Sequence, residues 1–329
     1  MIGLFCALGI AAWFLIGPNT QQHYIMCKKG DVDCLKKALA ATGTQPQCEG
    51  SDMESNLTAS MDLMKPTARG IPEQFYAHWA PLGGVDDSHQ RNVKRLCPTG
   101  TCYPTRQGLL DLFHHGVDPY VGLDVGDVTD FDGFHSYAQR DARQLIPRIV
   151  ALLGGPPRFV MEVGSFIGSG IVHVWAPLAK LHPQGVVLSM DPWLGDVNMR
   201  VLPDFKERMK FKHGVPQIAV TFMRRMIHMN LTGHVVPLAL PSLVGARLLE
   251  LSRLTIDFIY LDSAHEHGET YVEACLFFKL LRVGGLLCGD DFKTFQAVRA
   301  DVTRFTRDFG LRAHFPAKNH WCVKKTREY

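Results

Sequence analysis

Net charge is scarce in this sequence. The 35 Lys and Arg are nearly balanced by 32 Asp and Glu, leaving a formal +3 over 329 residues. No long basic run interleaved with aromatics occurs, which argues against a nucleic-acid partner, since such binding rests on clustered Lys and Arg. No internal repeat or low-complexity tract is present, which excludes a repeat array. The nine cysteines include no strong zinc-ligand spacing. The dinucleotide fingerprint G-x-G-x-x-G is also missing from the one glycine-rich turn that follows an apolar run. Long hydrophobic runs are few. The uncharged stretch Ile2 to Ile16 would span about 22 Å as a helix, short of the ~30 Å hydrocarbon core without help from flanking residues. It lacks a basic n-region and a small-x-small cleavage site, so an uncleaved signal anchor is expected ahead of a signal peptide, with a buried helix as the alternative.

The chain that remains has ordinary globular composition. Residues 1–20 are expected as the apolar targeting segment, 21–70 as a polar stem, 71–136 as an irregular cap rich in aromatics, Pro and Gly, and 137–329 as the main domain with a lead-in helix over 137–153. Cys27, Cys34, Cys48, Cys97 and Cys102 fall in the first third, where disulfides suit an oxidising lumen. Cys275, Cys288 and Cys322 sit in apolar patterns that read as buried thiols. Asn56 and Asn230 head glycosylation sequons, which matter only in the secretory pathway.

From Phe159 onward strand-like and helix-like patterns alternate: FVMEV, VVLSMD, HVVPLAL, IDFIYLD and LLCGDD, with helical stretches between them. Such alternation predicts an α/β fold with a doubly wound, mostly parallel seven-stranded sheet, closed by an antiparallel hairpin from LRAHF and WCVKK. In such sheets ligands gather beyond the carboxyl ends of the strands. The acids Asp262, Asp290 and Asp291 follow two of those strands. If the strands are neighbours, three carboxylates crowd together and call for Mg²⁺, Ca²⁺ or Mn²⁺; alternatively each acid caps a turn. The turn EVGSFIGSG, Glu162 to Gly170, carries Gly164, Gly168 and Gly170 with an acid two residues before the first glycine. That order suits the cationic methionine amino group of S-adenosylmethionine better than NAD. Asp191 ends the next strand, where a carboxylate can take ribose hydroxyls.

These motifs, together with DPWLGD at Asp191 to Asp196, VVPLALPS at Val235 to Ser242, DFIYLDSAHEHGETY at Asp257 to Tyr271 and LLRVGGLLCGDD at Leu280 to Asp291, resemble the class I S-adenosylmethionine-dependent methyltransferases. Within that class the resemblance is to methyltransferase family 24, related to metal-dependent sugar and catechol O-methyltransferases, and it covers about half the chain. It implies a Rossmann-like methyltransferase fold. It also implies a cofactor site with Glu162, Gly164 and Ser165 at the methionine end, Asp191 at the ribose, the loop Leu240 to Ser242 at the adenine, and Gly168, Trp193 and Asp262 as further cofactor-binding residues. The same resemblance makes Asp262, Asp290 and Asp291 ligands of a divalent cation, Mg²⁺ by preference. His265 stands where catechol-type members carry a lysine base, and its ordinary pKa suits that task.

The expected partner is a small molecule or glycan with an acceptor hydroxyl, and the N-terminal apolar segment is expected to meet a membrane. Two rival readings follow from the same residues. One is a non-haem iron oxygenase using Asp262, His265 and His267. The other is a membrane-tethered binding domain that keeps the fold without the activity.

Overall fold

The computed structural model describes residues 87–125, 135–263 and 265–329, and the backbone of three strands between residues 3 and 28. Most of the expected stem, with Cys34, Cys48 and the Asn56 sequon, lies outside the described residues. The chain forms two compact units, Met1–Lys65 and Pro66–Tyr329.

In the first unit β1 (Gly3–Ala7), β2 (Ile10–Leu15) and β3 (His23–Lys28) form an antiparallel sheet. The run Ile2 to Ile16, expected as a membrane helix, therefore contains two strands. Its β-branched and aromatic residues (Ile10, Trp13, Phe14) suit a pleated ribbon, and Gly3 and Gly9 each weigh against a helix. Among the described residues no helix is long and apolar enough to cross a membrane.

The second unit carries the seven-stranded sheet. Its strands are β4 (Phe159–Val163), β5 (Val186–Met190), β6 (Val235–Leu238), β7 (Ile256–Leu261), β8 (Leu281–Gly289), β9 (Ala313–His314) and β10 (Trp321–Lys324). Their order is β6-β5-β4-β7-β8-β10-β9. The first five are parallel, and β10 runs antiparallel to both β8 and β9. This is the fold class expected from the alternating pattern, and its sense of strand order reverses at β4 and β7, where crevices open.

Every residue of β4 and β7 is buried, which explains why these strands read as unbroken apolar runs rather than as alternations. Period-two geometry then sends successive residues to opposite layers. Phe159, Met161 and Val163 pack with one cluster, alongside Ile259 and Leu261; Val160, Phe258 and Tyr260 pack with the other. The first layer holds α1 (Asp87–Leu96), α2 (Arg106–Phe113), α8 (Ser242–Ser252), α9 (Glu269–Leu280) and α10 (Gln296–Asp308). The second holds α3 (His135–Leu153), a π-helical turn at Ile171–Trp175 running into α4 (Ala176–Lys180), and α7 (Ile218–His228). Two short helices, α5 (Val197–Val201) and α6 (Pro203–Met209), follow β5.

The stretch 87–125 is helical and joined to the sheet. Val93, Leu109, Leu110 and Leu112 belong to the first core layer, and Thr105 caps α2 through its hydroxyl, 3.0 Å from Gly108 N. A Cys97–Cys102 disulfide closes the loop between α1 and α2. A second disulfide joins Cys288 to Cys322 across β8 and β10. That corrects the reading of these two as free thiols: in sequence they are 34 residues apart, and only the antiparallel return of β10 makes them partners. Cys275 is the buried free thiol of the described residues.

Candidate active site

Glu162 is the fourth residue of β4, buried to 2 % exposure in a layer that otherwise packs hydrocarbon. Its Oε1 accepts a 2.5 Å hydrogen bond from the Trp175 indole, which the π-helical turn brings back over the strand, while Oε2 has no partner. Burial pushes its pKa up to about 8, and hydrogen bonds from Ser165 and Trp175 offset this only in part. The next residues leave β4 through Gly164, at φ +88°, where a Cβ would overlap the backbone of Asp262 and Ser263. Glycine there lets the ends of β4 and β7 touch. At Gly170 a Cβ would overlap Glu162 Oε1.

A cavity of about 410 Å³ opens beyond these strand ends. One wall is polar, formed by Glu162, Asp196, Asp262, His265 and Asp291; the other is apolar, with Phe166, Met199, Leu202, Phe205 and Phe295. The size lies within the range of small-molecule sites. A much smaller hole of about 10 Å³ adjoins it, bordered by Asp262, His265, Glu273, Asp290 and Asp291. That is room for one water or ion.

Around this hole the charges are crowded. Ligand atoms of Asp262, His265 and Asp291 lie within 4.8 Å of one another. The Asp262 side chain is exposed at the cavity, although protein packs closely around it. Burial, followed by the charges of Asp290, Asp291 and Glu162, holds its carboxyl well above the usual range. His265 Nε2 sits 2.9 Å from Asp291 Oδ2 and its Nδ1 3.5 Å from Asp196 Oδ2, with the ring against Phe295. Burial alone would lower its pKa, but the surrounding carboxylates raise it to about 10. The imidazolium is therefore the local countercharge, and despite its own burial Asp291 is held below its ordinary value mainly by His265.

Asp290 stands behind this trio. Its Oδ1 accepts from Asp291 N at 2.7 Å and lies 3.5 Å from His320 Nδ1. Asn319 clamps the same turn. Its side-chain oxygen accepts from Lys293 N and Thr294 N, its amide donates to Asp291 Oδ1 at 3.1 Å, and its backbone carbonyl accepts from Phe292 N.

The structure thus brings together Glu162, Gly164, Ser165, Asp262, His265 and Asp291, with Asp290 at the smaller hole only. The remaining expected residues sit behind the cavity wall. Asp191 accepts from Phe166 N at 2.8 Å and Trp193 N at 2.5 Å, one with each carboxylate oxygen. The Trp193 indole donates to Phe166 O at 2.8 Å and packs on Phe222. These two residues hold the loop that carries Phe166. Gly168, at φ +82°, is pressed by Phe222 and Met226, and Ser242 hydrogen-bonds Glu273. His267 is exposed and does not join the cluster, so the two-histidine iron triad of the oxygenase reading does not assemble. Asp196, Asn319 and His320 have site positions without a sequence assignment. Asp196 had a signal in DPWLGD, whereas Asn319 and His320 reach the acids only through the β9–β10 return.

The chain matches no protein-family model and no curated protein. Among solved structures it is similar, at low identity, to several O-methyltransferases. The O-methyltransferase from Bacillus cereus, solved with S-adenosylhomocysteine, is 15 % identical over 59 % of this chain and 84 % of its own, with a TM-score of 0.38. The calicheamicin methyltransferase CalS11 is 15 % identical over 72 % and 91 %, with a TM-score of 0.42. TomG from Streptomyces achromogenes, solved with S-adenosylmethionine, is 14 % identical over 63 % and 93 %, with a TM-score of 0.39.

Proposed function

We propose that the chain is an S-adenosylmethionine-dependent methyltransferase of the family 24 type, which methylates a hydroxyl of a small molecule or glycan with help from a divalent cation, Mg²⁺ by preference. The observation that carries this reading is Glu162: a buried carboxylate with one orphaned oxygen on the wall of a cofactor-sized cavity. A buried acid in that state ionises on meeting a cationic partner, and the methionine ammonium of the cofactor is one. Gly164 and Gly170 leave the space that a side chain would fill.

The hole between Asp262, Asp290 and Asp291 fits a hard cation, with Asp262 and Asp291 as the nearest oxygen donors. A cation there would offset the crowded carboxylates and polarise an acceptor hydroxyl. With that charge offset, the His265 imidazolium would release one ring proton to solvent, and the freed ring nitrogen would take the hydroxyl proton. The new O–CH₃ bond forms as the S–CH₃ bond breaks, and sulfur keeps the electron pair. Asp196 and Asp291 hold the imidazole ring in place from its two sides, which is the alignment an in-line transfer needs. The two disulfides support, within the same proposal, an oxidising compartment.

The test is calorimetry with S-adenosylmethionine, with and without Mg²⁺, followed by transfer of labelled methyl groups into extract. Wild type is expected to bind the cofactor and to transfer only with the cation present. His265→Ala is expected to keep cofactor binding and lose transfer. Absence of cofactor binding by wild type would overturn the whole reading, and undiminished transfer by the variant would remove His265 from it.

A further inference from the structure

The segment after β5 departs from the rest of the described surface in two ways. Six of the fourteen exposed large apolar side chains, Leu194, Val197, Val201, Leu202, Phe211 and Val215, fall within its 22 residues. Helix α5 buries no residue at all. A five-residue helix has little stability of its own; this one is started by Asp196, whose Oδ1 accepts from Met199 N at 2.7 Å. Val197 and Val201, four positions apart on α5, are 55 % and 66 % exposed, so they share one outward face. The face continues to Phe211, because Arg200 lies over the Phe211 ring at 5.4 Å. Exposed apolar groups gathered in this way mark a contact surface rather than scattered surface residues.

The second departure is charge. Residues 194–215 hold five Lys and Arg (Arg200, Lys206, Arg208, Lys210, Lys212) against Asp196, Asp204 and Glu207, a net +2. Lys206, Lys210 and Lys212 are exposed beside the apolar group. Apolar side chains rimmed by cations match the boundary of an anionic bilayer, where the former enter the acyl region and the latter meet lipid headgroups. A hydrophobic protein partner would satisfy the apolar group but would not use the exposed Lys206 and Lys212 beside it.

We propose that the surface formed by α5, α6 and the turn through Val215 docks on an anionic lipid surface. The placement has a consequence for the cavity. Leu202 is both 46 % exposed and part of the apolar cavity wall, and Met199 and Phe205 line that wall from the same two helices. The docking face is therefore the rim of the cavity mouth, and a lipid-soluble molecule can pass from bilayer to cavity along apolar side chains. The docking itself does not depend on methyl transfer and stands or falls separately from it.

Hydrogen exchange on the full chain tests the assignment residue by residue, with vesicles of phosphatidylcholine alone or mixed with phosphatidylserine. Amides of 197–215 are expected to gain protection on the mixed vesicles only, and to lose it in high salt. In flotation with mixed vesicles, Lys206→Glu combined with Lys212→Glu is expected to lower partitioning more than about tenfold, given the typical contribution of each basic side chain at a charged bilayer. Val201→Asp is expected to lower partitioning as well. None of these three side chains lines the cavity, and unchanged thermal midpoints would show that the variants fold. Equal protection on neutral vesicles, or binding with no protection in this segment, overturns the proposal.

Discussion

Strand β7 has an aspartate near each end, and the two are treated in opposite ways. Asp257, at the start, receives hydrogen bonds from the Tyr103 hydroxyl at 2.7 Å, Arg282 Nε at 2.5 Å and the backbone amides of Arg158 and Phe159 at 2.8 and 3.0 Å. Asp262, immediately after the strand, is surrounded by other acids, and the nearest positive charge is one histidine shared with Asp196 and Asp291. One carboxylate is saturated by the fold and ties α2's leading loop, β4 and β8 together. The other is kept short of partners, a state that a stabilising role does not explain and that a ligand would relieve. The same residue type on the same strand is therefore structural at one end and a functional candidate at the other.

Three substitutions test this contrast. The largest effect is expected from Asp257→Ala, which strands four donors at once; loss of a buried, hydrogen-bonded charge costs about 3–5 kcal/mol, to be read from urea unfolding. A loss under about 1 kcal/mol would mean that the bonded acid is not a structural tie. Asp262→Asn is expected to act in reverse. Removing one of the crowded charges should leave the metal-free chain at least as stable, while Mn²⁺ affinity measured by calorimetry falls about a hundredfold, as for loss of a direct ligand. Destabilisation without a change in affinity would place Asp262 with Asp257.

The smallest effect concerns Glu162. Its carboxyl is raised from an ordinary 4.5 to about 8 in the folded chain, so the folded state retains a proton that the unfolded chain releases. Stability is then complete below pH 4.5 and declines as pH rises toward 8, by about 2 kcal/mol at pH 6. Glu162→Gln carries no such proton and should flatten that part of the stability–pH curve. Parallel curves for the two proteins would show that the burial of Glu162 does not govern its ionisation.

The legible parts of the fold were those set by local pattern. The runs FVMEV and IDFIYLD are strands because a sheet covered on both faces needs unbroken apolar residues, and that is visible in the string. The acids beyond β7 and β8 were legible for a similar reason, since strand ends in such sheets are where ligands gather. Partnership at long range was not. Asp257 and Tyr103 are 154 residues apart, and nothing near either reveals the other. Asn319 reads as an ordinary turn residue until β10 returns beside β8 and sets it against Asp291. Asp191 shows a different limit: its position was clear, but whether its oxygens face a ligand or backbone amides depends on the path of the following loop. The N-terminal run was ambiguous for a physical reason too, because an apolar stretch of that length suits a helix or a pair of strands.

The Cys288–Cys322 bridge can also be seen as a check on assembly. The two residues are direct register partners in antiparallel strands, and a slip of one residue would turn one sulfur to the opposite face of the sheet. In the native alignment of β10 the two sulfurs meet directly. That alignment also sets Asn319 against Asp291 and His320 against Asp290. The disulfide therefore ties together, covalently, the two strands whose pairing builds the acidic turn.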